Sequence, residues 1–327
     1  MKTTLRTAKP ATIASDCLAV CIGAKNRLSS EATELDLASG KRLSKLLDNG
    51  DFEGKLGSTL MLQGIEGVRA KRILLVGSGD TKLDAKALKS LLGGAAKTLA
   101  KSNAAEAHFA IASLDLNGLS FEAVAERLAL ELEDASYSYS TTKSSKAKKP
   151  SLKSVSLATP KGSSRAKLTA ALANGKATGR GINVAKELGN LPGNVCTPSY
   201  LSQQALDLAK GKRKLSVKVL SEKQMQRLGM GSLLSVSAGS SQEAQLIVME
   251  YKGAKASKNK AAPHCIVGKG ITFDTGGISL KPGAMMDEMK FDMCGAASVI
   301  GTMAAVVEMD LALDIVAVVA AAENMPS

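Results

Sequence analysis

Apolar positions along this chain alternate between two periods. Residues 72–79 form an unbroken aliphatic run (Ile73, Leu74, Leu75, Val76) that enters a Gly77-Ser78-Gly79 turn, the pattern of a buried strand. Residues 83–102 follow with Leu88, Leu91, Leu92 and Leu99 on related faces, which predicts a helix. The same logic predicts a first strand over 13–23, a basic helix over 39–49, a strand over 107–112 and a helix over 120–132. Strands alternating with helices imply an α/β unit with a parallel or mixed sheet. Gly77-Ser78-Gly79 lacks the third glycine and the phosphate lysine of a nucleotide loop, so it reads as a tight strand-to-helix turn.

A second alternation begins further on. Residues 201–210 have an amphipathic helical period, 216–220 a strand, 222–228 a short helix and 245–251 a strand. Residues 252–262 read as a polar, lysine-rich hairpin or loop. Cys265-Ile266-Val267 then reads as a short buried strand, 296–307 as a helix of small residues, and 314–321 as a strand. The expected fold is therefore α/β in two domains, each with a mixed sheet flanked by helices. A chain of 327 residues agrees with that count. The boundaries are placed at 1–150 for the N-terminal α/β domain, 151–186 for a basic linker and helix (164–186), and 187–327 for the second domain.

Charge changes the picture at that junction. Residues 135–186 hold eleven basic side chains and no acidic one, most of the net charge of +13. A solvated loop and helix account for them. A polyanion-binding surface centred on Lys146, Lys148 and Lys149 is the sharper alternative, since clustered cations neutralise phosphates. Without tryptophan and with few aromatics, the cores must be aliphatic. Asp16 interrupts any apolar leader, and the apolar run 315–322 is too short for a bilayer, so no secretory signal or membrane role is expected. Five dispersed cysteines without a CxxC pair fit free thiols in a reducing, cytoplasmic compartment. The two histidines, His108 and His264, are too far apart for an HExxH zinc site.

Candidate chemistry is concentrated in residues 264–298. Gly268 and Gly270 flank Lys269, which lets the backbone approach a neighbour closely. Asp274 precedes Thr275-Gly276-Gly277, a turn signal; Lys281 precedes Pro282; Asp292 precedes a small-residue helix start. Asp274 as a turn former and Asp292 as an N-cap are the simple readings. A lysine in an apolar strand is harder to accommodate, because lysine is rarely buried without a partner. A neutral lysine amine beside two aspartates would bind a divalent cation. Met285, Met286, Met289 and Met293 either fill the core nearby or line an apolar substrate pocket.

The stretch Val267-Gly268-Lys269-Gly270-Ile271-Thr272-Phe273-Asp274-Thr275-Gly276-Gly277, with Ile278-Ser279-Leu280-Lys281-Pro282 and Met289-Lys290-Phe291-Asp292-Met293-Cys294-Gly295-Ala296-Ala297, closely resembles the signature of the leucyl (cytosol) aminopeptidase family of two-metal exopeptidases. The resemblance extends to Ala321-Ala322-Glu323-Asn324-Met325-Pro326-Ser327 and back to Asn190-Leu191-Pro192-Gly193-Asn194-Val195-Cys196-Thr197-Pro198. It implies that Lys269 and Asp292 ligate one metal, that Asp274 bridges two, and that Lys281 is catalytic and stabilises the oxyanion. It further implies two divalent ions, Mn or Zn, and release of N-terminal, leucine-like residues from peptides. It implies a non-catalytic N-terminal domain and a homo-hexamer. The family's next motif, Asn-Thr-Asp-Ala-Glu-Gly-Arg, supplies further ligands and the arginine that holds a bicarbonate. Ser327 precedes any such motif, so the reading is of a C-terminally truncated chain whose catalytic domain and site are incomplete and which is inactive alone. Some bacterial members of the family also bind DNA, which keeps a DNA-binding regulator using 135–186 as the alternative.

Overall fold

The computed structural model describes residues 1–80, 82–145, 150–254 and 261–326. The chain divides into two compact units, one of residues 1–138 and 148–179, the other of residues 139–147 and 180–327.

The first unit is built on β1 (Lys2–Arg6), β2 (Cys17–Gly23), β3 (Arg27–Leu28), α1 (Ser30–Ala38), α2 (Arg42–Asp48), β4 (Thr59–Gln63), β5 (Arg72–Gly79), α3 (Ala85–Lys101), β6 (Glu106–Phe109), α4 (Phe121–Ser136) and β7 (Ser154–Ala158). The sheet order is β1-β7-β6-β2-β5-β4, with β3 paired to β2. The neighbours from β1 through β5 run parallel; β4 is antiparallel at the edge. All of β2 is buried because helices cover both faces. Leu18, Val20 and Ile22 meet α1 and α2 on one side, while Ala19 and Cys21 meet α3 and α4 on the other.

The pattern-based expectations for β5, α3, β6 and α4 match within a few residues. Five elements of the first unit, β1, β3, α1, β4 and β7, had no expectation from the sequence, and three of them show why. The edge strand β1 buries only Leu5. Helix α1 is weakly amphipathic and buries Asp36, whose carboxylate accepts from the Ser44 amide at 2.8 Å and so ties α1 to α2. Strand β7 lies inside the Ser/Thr/Lys-rich stretch expected to be solvated. Val155 and Leu157 are nevertheless buried between β1 and β6. Lys146, Lys148 and Lys149, the centre of the suggested polyanion surface, fall outside the described residues.

Helix α5 (Arg165–Asn190) begins in the first unit and ends in the second. The second unit continues with α6 (Pro198–Ala209), β8 (Leu215–Leu220), α7 (Glu222–Arg227), α8 (Gly231–Ser237), β9 (Gln245–Lys252), β10 (His264–Asp274), a 3-10 helix (Met286–Met293), α9 (Cys294–Met309) and β11 (Asp314–Asn324). Its sheet order is β10-β11-β9-β8, with β10 and β11 parallel and the other pairs antiparallel. Part of the expected loop at 252–262 lies outside the described residues. Ala296, Ala297, Ile300 and Met303 of α9 are buried with Ile247, Met249, Ala317 and Val319 of the sheet. The helical stretch Met286–Met309 is long and apolar enough to cross a bilayer by composition, but this face of it is occupied by the core.

One expectation is overturned. Residues 265–267 are not a buried strand: β10 is an edge strand, Cys265 is exposed and Val267 is 77% exposed. An apolar run of three cannot distinguish a central strand from an edge strand, because that depends on what packs beside it.

Candidate metal-binding and catalytic site

The carboxyl ends of β10 and β11 lie side by side, with Asp274 in register with Asn324 after an irregularity in the pairing beyond Ile271. Lys269 sits five residues earlier on β10, in register with Ala320. The glycines around it have a definite purpose. A Cβ on Gly268 would lie 2.6 Å from the Gly295 carbonyl oxygen, and one on Gly295 would lie 2.8 Å from the Lys269 nitrogen. The start of α9 therefore packs backbone to backbone against β10, which only glycine permits. That contact carries Asp292, just before α9, to Lys269: Nζ donates to Oδ1 at 2.6 Å.

Asp292 is not the N-cap of α9, as the simple reading had it. The cap position is Met293, without a side-chain hydrogen bond, and Asp292 closes the preceding 3-10 helix. Lys269 is not buried either; its side chain is 58% exposed. The Asp292 carboxylate is its partner.

The second pair forms within one turn. Gly276 and Gly277 have φ of +93° and +63°, a left-handed region that favours glycine. They fold the chain so that Lys281 Nζ donates to Asp274 Oδ2 and, at 3.2 Å, to the Asp274 carbonyl oxygen. Asp274 Oδ1 accepts from the Gly276 amide at 2.9 Å and from Asn324 Nδ2 at 2.7 Å. Burial pushes the Asp274 pKa up, but the Lys281 ammonium and the two amide donors outweigh it, and the carboxyl lies below the ordinary aspartate value. Asp274 is thus both a turn former and a bound anion.

Asn324 was not singled out as a functional side chain from sequence. It lies fifty residues from Asp274, and only the parallel pairing of β10 with β11 brings the two together. The methionines divide: Met293 is buried in the core, Met289 Sδ lies 3.5 Å from Lys281 Nζ, and Met285 is exposed.

The donor set can be tested for fit to a divalent cation. Asp292 Oδ2 is buried and has no hydrogen-bond partner among the described residues. A buried carboxylate oxygen left unpaired is costly, and a cation would satisfy it. Two carboxylates and an amine that can ligate once deprotonated suit Mn or Zn. Among the described residues no group of three or more His, Cys, Asp or Glu side chains is gathered, so these donors alone are a partial set.

The Lys281–Asp274 contact lies at the carboxyl end of β10, and the Lys269–Asp292 contact joins β10 to the 3-10 helix before α9, at the end of an α/β sheet where ligands bind. Comparisons with known proteins specify the family. The profile of the cytosol aminopeptidase family, catalytic domain, matches residues 183–327, and that of the family's N-terminal domain matches residues 19–146. The chain belongs to the cytosol aminopeptidase family. The cytosol aminopeptidase of Pseudomonas aeruginosa is 44% identical over 333 residues, covering all of this chain and 66% of the relative. Among solved structures, a mutant of tomato leucine aminopeptidase aligns with a TM-score of 0.84 at 26% identity, covering 100% of this chain and 63% of that one. The bottromycin maturation enzyme BotP in complex with Mn aligns with a TM-score of 0.76 at 25% identity, over 96% of this chain and 61% of that one. The chain spans 65–66% of the length of the first curated relatives it matches.

Proposed function

We propose that this chain carries the N-terminal domain and part of the catalytic domain of a cytoplasmic, metal-dependent aminopeptidase that releases N-terminal residues, leucine-like ones preferred, from peptides. The observation that supports this best is the pair of lysine–aspartate contacts at the ends of β10 and α9, with one buried aspartate oxygen unsatisfied. Lys269, Asp274 and Asp292 would hold two divalent ions, manganese or zinc. When bound, such ions acidify a water molecule, anchor the substrate amine and polarise the peptide carbonyl.

The chain's own residues have distinct tasks. Lys269 and Asp292 would ligate one cation, Lys269 as the free amine. Asp274 would offer its carboxylate to the metals, with Asn324 and the Gly276 amide holding its orientation. Lys281 would donate to the oxygen on which negative charge develops as the carbonyl is attacked. Further carboxylate ligands and the arginine that would hold bicarbonate are expected from the part of the family's length that this chain does not span. Assembly into a hexamer belongs to the same proposal.

The test is hydrolysis of a leucine chromogenic amide with added Mn²⁺, comparing this chain with a version extended by the family's remaining catalytic segment. Activity confined to the extended form, and lost with Lys281→Ala, is the expected result. A folded extended form that binds Mn²⁺ but cleaves nothing would overturn the aminopeptidase reading.

A further inference from the structure

In the first unit β2 is central, with β5 paired on one side and β6 on the other; α1 and α2, which follow β2, cover one face of the sheet, and α3, which follows β5, covers the other. Connections that diverge in this way open a crevice beyond the carboxyl ends of the strands. Here the crevice is a cavity of about 440 Å³, within the range of small-molecule sites. Four charged side chains line it: Arg27 on β3, Asp80 and Lys82 after β5, and Asp115 after β6. Opposite charges sharing one cavity normally pair. Among the described residues none of these four has an ion-pair partner. Leu28 and Leu83 add an apolar wall.

The surrounding contacts hold this arrangement. Glu31, on the first turn of α1, accepts from the Ser113 amide at 2.8 Å and from the Ser113 hydroxyl. It therefore braces the loop that carries Asp115. The glycines beside the cavity serve the chain, not a phosphate. A Cβ on Gly77 would lie 1.9 Å from the Lys55 carbonyl oxygen, and Gly79, at φ +69°, lies against Leu56. Two carboxylates without a cationic partner also disfavour a polyphosphate; Asp115 Oδ1 accepts only from the Asn117 amide, at 3.2 Å, among the described residues.

We propose that this cavity binds a small zwitterion of the α-amino-acid class, a free amino acid or a dipeptide. Asp80 and Asp115 take the ammonium, Arg27 and Lys82 take the carboxylate, and the leucines accept an aliphatic side chain. Charged hydrogen bonds at both ends discriminate against a ligand that lacks either group. The ligand class coincides with the products of the proposed reaction, yet the assignment rests on the first unit alone and stands whether or not the chain is a peptidase.

The experiment is calorimetric titration of the full chain, in chelator to keep metals out, with L-leucine and leucyl-leucine. Leucinamide, 4-methylpentanoate and AMP are the controls. Saturable binding of at least one zwitterion and of none of the controls is expected, and which of the two binds more tightly tells free amino acid from dipeptide. Arg27→Ala and Asp115→Asn should each weaken binding about tenfold or more. Lys281→Ala and Asp274→Asn should leave it unchanged, which separates this cavity from the candidate metal site. Amide chemical-shift changes on titrating the unmodified chain locate the ligand independently of any variant, and should cluster at Ser29–Ser30 and Ser113–Asp115. No binding of either zwitterion, equal binding of leucinamide, binding of AMP instead, or shifts confined to the second unit would each overturn the assignment.

Discussion

A lysine that is to ligate a metal must give up a proton, and in the proposed site Lys269 directs that proton to Asp292. The cation has to displace it, so metal affinity should fall as pH falls, measurable as Mn²⁺ titrations at two pH values. Lys281 has the opposite requirement, since an oxyanion partner must stay charged. In the extended enzyme Lys281→Ala should lower kcat by about 10² to 10³ with unchanged folding, the scale of a lost oxyanion donor. Gly295→Ala is a test of packing. Its Cβ would meet the Lys269 backbone, so urea unfolding should show a loss of about 1–3 kcal/mol in the second unit. Lys269, Asp274, Lys281 and Asp292 stood out as candidates through the family signature they sit in, since a turn former and a cap would each explain an aspartate by itself. Asn324 did not stand out, because an asparagine at a strand end has many structural explanations.

At the scale of elements, β6 carries a buried histidine. His108 Nδ1 lies 2.7 Å from Ser156 Oγ on β7, and Nε2 has no partner among the described residues. Burial, with a smaller contribution from Arg6, pulls its pKa down from 6.5 to about 4. The sign follows directly. Between about pH 6.5 and 4 the unfolded chain takes up a proton that the folded chain refuses, so stability falls as pH drops through that window. The loss is up to about 3 kcal/mol. Denaturant melts of the first unit at pH 7 and pH 4.5 should show it, and His108→Gln should flatten the dependence. The elements with long, clean periods, such as α3 and α4, were legible in sequence. Strands β1 and β7 were not, since β7 gains its burial from β1, which is distant in the chain.

At the scale of the whole molecule, the second unit exposes apolar surface around its edge strand. Val267, Ile278 and Leu280 are 77%, 98% and 61% exposed, and Phe291 lies nearby in sequence and is also open. An open strand edge with such side chains invites association. The 327-residue chain should bind a hydrophobic dye and self-associate with rising concentration. Ile278→Ser with Leu280→Ser should reduce both without shifting the melting of the first unit.

What the sequence by itself determined is the α/β class, the family and the stretch, residues 264–298, that holds the candidate chemistry. Periodicity and rare residue combinations are local properties, and they survive being read one stretch at a time. The tertiary structure alone decided which strand is an edge and that Asp292 pairs with Lys269 instead of capping α9. It also brought Asn324 to Asp274, and placed Arg27, Asp80, Lys82 and Asp115 around one cavity. Each of those depends on pairing between segments far apart in the chain. A residue's own neighbours in sequence carry no record of such pairing.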